Sequence, residues 1–178
     1  MAAAGRAHDP AAKADREKEM IPEAPFFLGV AALNVTLAGF SGLVAAFHRG
    51  DRLKTFDVFH LRGLAETGLA NALIALITIP LATASGDLGT ATRVGSAVVL
   101  AYIAVQIAVF ALRQRRMSVR VAAPYAVGAL AVDMTVIAVA VVTIVLQAVS
   151  AYETLMVLLL ARPMWDFVQV LGNMARPA

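Results

Sequence analysis

The stretch Leu158–Phe167, "LLLARPMWDF", decides how many times this chain crosses a membrane. Four apolar runs precede it, roughly Phe26–Phe47, Phe59–Ala82, Val94–Leu112 and Ala122–Ala148, each near the ~20 residues that span a bilayer. The fifth, Tyr152–Leu171, carries an arginine, a proline and an aspartate inside it. If it crosses, the chain has five spans and its ends lie on opposite sides. If instead "LLLA" only dips in and "RPMWDF" lies on the surface with Arg162 snorkelling, the count is four. We expect five spans, with four as the alternative.

Composition supports a membrane reading throughout. Sixty per cent of the 178 residues are hydrophobic, above the ~45–50% of a soluble domain. The expected fold is therefore all-α, a polytopic helix bundle over 26–172. A polar tail at 1–25 and a short tail at 173–178 flank it. In the first tail "AAKADREKEM" allows a short helix with a Lys13–Glu17 pair. The tail is too acidic, and the apolar run after it too long, for a secretory signal. With no cysteine, disulfide, thiolate-metal and cysteine-nucleophile chemistry are excluded.

Orientation follows from the basic residues of the loops. The first loop carries Arg49, Arg52 and Lys54, and the third Arg113, Arg115, Arg116 and Arg120. The second has only Arg93, and the fourth none. Loops one and three should face the cytoplasm, placing the N-terminus outside and the C-terminus inside. Arginine far exceeds lysine and alanine is abundant, which points to a GC-rich bacterium and so to its cytoplasmic membrane. The basic balance is a topology signal, so no nucleic-acid partner is expected. The expected partners are the lipid bilayer and either a second copy or another membrane subunit.

Lipid gives helices no hydrophobic reason to associate, so small and polar residues should mark the packed faces. At helical spacing these are Ala31, Asn34, Ala38, Ser41, Ala45 and His48 in the first span, and His60, Gly63, Thr67, Asn71, Ala75 and Thr78 in the second. In the third they are alanines 97, 101, 104, 108 and 111. The fourth has Ala126, Ala129, Asp133, Ala140, Thr143 and Gln147, and the fifth Arg162, Asp166, Gln169 and Asn173.

Two patterns suggest chemistry, and neither carries it. "AGFSG", Ala38–Gly42, has the Gly-x-Ser-Gly form found around the serine of rhomboid proteases. No histidine falls at the depth of Ser41 to act as its base, so Gly39, Ser41 and Gly42 read as a packing surface. His48, Asp51, Asp57 and His60 bracket the first loop without a known ligand spacing. The expectation is no metal and no cofactor, with the histidines as interfacial anchors. No phosphate-binding loop or His-Glu-x-x-His helix occurs, so an enzyme is the least favoured class.

Charge inside the spans carries the most information, because an Asp or Arg at helix centre costs ~2.5–3.5 kcal/mol. Arg62 and Glu66 are one turn apart and can pair. Asp133 lies roughly 15 Å into the fourth span at ~1.5 Å per residue, and Arg162 at a similar depth in the fifth. Asp166, one turn on, is the rival partner. Asn34, Asn71 and Gln106 fall near the same level, completing a polar belt. Pro163 cannot donate to the carbonyl of Leu159, so a free acceptor and a kink are expected there, with Arg162 serving the acceptor and Trp165 at the interface. A non-catalytic bundle that binds or supports a partner is the leading reading. A small-solute or proton transporter subunit using the belt is the alternative.

"AGFSGLVAAF" followed by "FDVFHLRGLAETGLANALIALITIPL" resembles a family of small multi-pass membrane proteins of bacteria. There a Gly-rich first helix precedes a Phe-x-Leu-Arg-x-x-x-Glu start to the second, here Phe59, Leu61, Arg62 and Glu66. The resemblance implies the membrane fold and no particular activity.

Overall fold

The computed structural model describes residues 22–47, 55–117 and 123–174. Expectations for the Lys13–Glu17 pair, His48, Asp51, the first-loop cations and Arg120 lie outside them. The described residues form five helices and no strand: α1 Ala24–Phe47, α2 Thr55–Ser85, α3 Leu88–Met117, α4 Ala123–Leu146 and α5 Val149–Met174. All five are long and apolar enough to cross a membrane, and large outward side chains such as Leu73, Val105 and Val145 are exposed. The chain is a multi-pass membrane protein. The fifth segment is one helix running through Pro163, so the surface-lying alternative falls.

Helices α2 to α5 form an up-down-up-down ring: α2 touches α3 and α5, and α4 touches α3 and α5. Short connections enforce the antiparallel order. At the α2–α3 corner Gly86 takes a left-handed φ of 64°, which glycine tolerates without Cβ strain. Asp87 then caps α3, its carboxylate accepting from the Gly89 and Thr90 backbone N–H groups at 3.1 and 2.8 Å and from the Thr90 hydroxyl. These bonds, the Thr90 hydroxyl's foremost, hold its pKa below the usual carboxylate value.

Helix α1 lies outside the ring against α2 and α5. The close approach depends on Gly68 of α2: a Cβ there would sit 2.8 Å from the Asn34 carbonyl oxygen and 3.2 Å from Ala38 Cβ. Gly39 and Gly42, expected to pack, are exposed with nothing near their missing Cβ atoms, and of that motif Ala38 and Ser41 are the buried members.

The half of the ring toward the α2–α3 and α4–α5 corners is tightly filled. Phe27, Ala75, Val99, Ala140, Tyr152, Leu155 and Met156 form its core. Tyr152 exchanges a 2.7 Å hydrogen bond with Thr78 and presses its ring onto Gly95, where any Cβ would collide with it.

The third helix corrects the expected face. Alanines 97, 101, 104, 108 and 111 all point outward. The inward face is Ala91, Thr92, Gly95, Ser96, Val99 and Ile103, continuing to Gln106 and Arg113.

Candidate functional site

Toward the other end, where α1 and α3 finish and α2 and α4 begin, the ring opens into a cavity of about 300 Å³. Its polar wall comes mainly from α2 and α5: His60, Glu66, Thr67 and Asn71 face Arg162 and Asp166. Its apolar wall comes from α3 and α4, with Ile103, Ile107 and Phe110 opposite Ala129, Leu130 and Val136. Tyr102, Gln106 and Asp133 complete the polar set, and Arg113 stands beside Glu66. The helical repeat explains the grouping, because His60, Gly63, Thr67 and Asn71 fall three or four residues apart and share one stripe of α2.

Two ionic clusters hold the walls. Arg113 grips Glu66 with two nitrogens at 2.6 and 3.1 Å, tying α3 to α2. Such a paired fork is stronger and more directional than a single contact. Arg62 adds the expected bond to Glu66 from one turn away at 2.7 Å, though its side chain is largely exposed. The second cluster joins α4 to α5. Arg162 donates to Asp133 at 3.2 Å and lies 3.8 Å from Asp166. It therefore serves both of the carboxylates considered for it. Asp166 is buried; it accepts a short hydrogen bond from the Tyr125 hydroxyl and stands 3.6 Å from His60 Nδ1.

Between the clusters sits an amide layer. Gln106 donates to Tyr102 Oη at 2.5 Å and reaches Thr67 at 3.3 Å. Asn71 donates to the Leu159 carbonyl at 2.8 Å. That is the acceptor left free by Pro163, as expected, but its donor is Asn71 of α2 and not Arg162. The other amide oxygen, Asn71 Oδ1, is buried with no hydrogen-bond partner among the described residues.

Among the expected site residues, Asp133, Arg162, Asp166, Glu66, Asn71 and Gln106 line this cavity, and Arg62 joins through Glu66. Asn34 does not: it is buried on α1 and bonds the Val30 carbonyl of its own helix. His60 is 1% exposed, so it is a wall residue and not an interfacial anchor. Trp165 is half-buried against α4, its ring set so that a Cβ at Gly128 would lie 2.6 Å from Cζ2. The sequence reading missed Arg113, Tyr102 and Tyr125. Arg113 was available as the next member, seven residues on, of the face that holds Gln106.

The fold and cavity define the class as a multi-pass membrane protein with a polar chamber in one half of its bundle. Compared with known proteins, the chain matches no family model, no curated protein and no solved structure.

Proposed function

We propose that the chain works in a bacterial cytoplasmic membrane as a non-catalytic binding protein for a small molecule, held in the cavity that α2, α3, α4 and α5 enclose. Loops one and three and the C-terminus face the cytoplasm in this reading, and the N-terminus faces out. The cavity then opens toward the cytoplasmic half of the bilayer. The observation that carries the reading is the chamber itself. A bundle whose polar groups serve packing alone would close over them, since an unfilled space forfeits dispersion contacts. Here ion pairs and amides from four helices instead line about 300 Å³ of open volume. This favours solute handling over the support role that the composition first suggests.

Binding is favoured over conduction by the other half of the ring. Beyond Asn71 the axis is filled by Tyr152, Leu155, Met156 and Val99, all buried, and a proton or solute would need a second opening. Covalent chemistry is disfavoured because Glu66, Asp133 and Asp166 are each held by an arginine or a tyrosine.

Filling the chamber tests the reading. Ala129→Phe places a ring in the cavity from a buried wall position. A support protein keeps its role when filled, whereas a binding protein loses it. Growth competition among cells with the unaltered chain, the filled chain and no chain reads the difference. The expected result is that filled cells behave as deleted ones at equal membrane levels. Filled cells matching the unaltered ones, while deleted cells fall behind, would refute it.

A further inference from the structure

The charges around the chamber do not balance locally. Glu66 is held by both Arg62 and Arg113. Deeper in, Asp133 and Asp166 share the single guanidinium of Arg162. His60 beside Asp166 adds a positive charge only when protonated. Counting carboxylates and guanidinium groups alone, the outer cluster has one positive group in excess and the inner cluster one negative. Asp133 has one oxygen on Arg162, and its other has no hydrogen-bond partner among the described residues.

The amide layer points the same way. Asn71 spends its N–H on the Leu159 carbonyl, one turn before Arg162, and leaves Oδ1 as a buried acceptor without a described partner. A buried acceptor left without a donor is costly, since it has given up water for nothing. The inner end therefore offers a carboxylate oxygen from α4 and an amide oxygen from α2, at depths about one helical turn apart, both acceptors, where carboxylates outnumber guanidinium groups. Facing them are the apolar side chains of Ile103, Ile107 and Leu130.

We infer that the inner end of the cavity is a site for a lipophilic primary ammonium ion. Its N–H groups donate to Asp133 and to Asn71 Oδ1, and its apolar body lies along the α3–α4 wall. Only a donor-rich cation satisfies both acceptors and the excess charge, while an anion would meet them with repulsion. This inference rests on the proposed binding role of the chamber.

The test uses the full chain in lipid nanodiscs, with binding heats measured against empty nanodiscs. Three probes share one shape: 2-phenylethylammonium, 2-phenylethanol and phenylacetate. The ammonium should bind at least roughly tenfold more tightly than the alcohol, about 1.4 kcal/mol, and phenylacetate most weakly. Asp133→Asn should remove that advantage while leaving the alcohol unchanged. Equal affinity for ammonium and alcohol, or binding of none, overturns the inference. Tighter binding of phenylacetate also overturns it but leaves the chamber a binding site, so the two readings fail separately. Should Asp133→Asn not insert, the probe series on the unaltered chain decides alone.

Discussion

The bond from Asn71 to the Leu159 carbonyl makes a prediction that involves the proline. In α5 the carbonyl of Leu159 has no intrahelical donor, because position 163 is proline. Asn71 Nδ2 supplies the bond from α2 at 2.8 Å. Asn71→Leu removes it and strands a buried acceptor. Interhelical hydrogen bonds in membranes average about 0.6 kcal/mol and reach about 1.7, and an orphaned buried group costs about 1–3. A loss of about 1–2 kcal/mol follows. Pro163→Ala restores a backbone N–H that can donate to the same carbonyl. Asn71→Leu should then cost about 1 kcal/mol less in the alanine background than in the proline one. Any general gain in helix stability from removing proline appears in both backgrounds and cancels. Unfolding in mixed micelles with increasing SDS, followed by far-UV circular dichroism, measures all four corners. Additivity within about 0.3 kcal/mol would show that Asn71 does not serve the acceptor freed by Pro163.

Double-mutant cycles should give Arg162 a coupling of about 1–3 kcal/mol with Asp133, and less with Asp166, which keeps Tyr125 when Arg162 is replaced; the same micelle titration reads both. Tyr125→Phe should lower stability by about 1.5–3 kcal/mol, the value of a hydrogen bond to a charged group; a change near zero would remove Tyr125 from the site. Val99→Leu should cost about 1–3 kcal/mol by overpacking, whereas Ala101→Leu, on the outer face, should stay within about 0.5; the reverse order in melting temperature would restore the alanine stripe as the packed face. Gly95→Ala should destabilise by forcing the Tyr152 ring away from Thr78, a loss that Tyr152→Phe, with its hydroxyl gone, should partly relieve; equal losses in both backgrounds would deny the contact.

The five helices were legible because the cost of exposing backbone in lipid makes long apolar runs decisive. The inward faces of α1 and α2 were legible for a related reason: Asn34, Ser41, Thr67 and Asn71 are polar, and polar groups in a span seek protein. The Asp133–Arg162 pair followed from charge and depth together. On α3 the argument failed. With few charges to orient it, residue size was the remaining guide, and lipid tolerates alanine as well as a packed interface does. The buried side of α3 carries Val99 and Ile103, whose branched side chains look lipid-facing in sequence. Arg113 was hidden differently. It counts equally as a loop cation, and only the extension of α3 to Met117 places it opposite Glu66. No local signal marked Asn71 as the donor to Leu159, since that contact joins residues 88 apart.

The central claim is that one half of the ring holds a water-accessible chamber open toward the cytoplasm while the other half is sealed. The chain has no cysteine, so single cysteines can be placed at Ala129 in the chamber wall and at Ala75 in the packed half. Ala104, on the lipid face, serves as a control. Each is exposed to a small, charged, membrane-impermeant thiol reagent in inside-out and in right-side-out vesicles. The account predicts modification at position 129 in inside-out vesicles alone, and none at 75 or 104 in either. Modification at 129 from the outer side, or at 75 as readily as at 129, would contradict it.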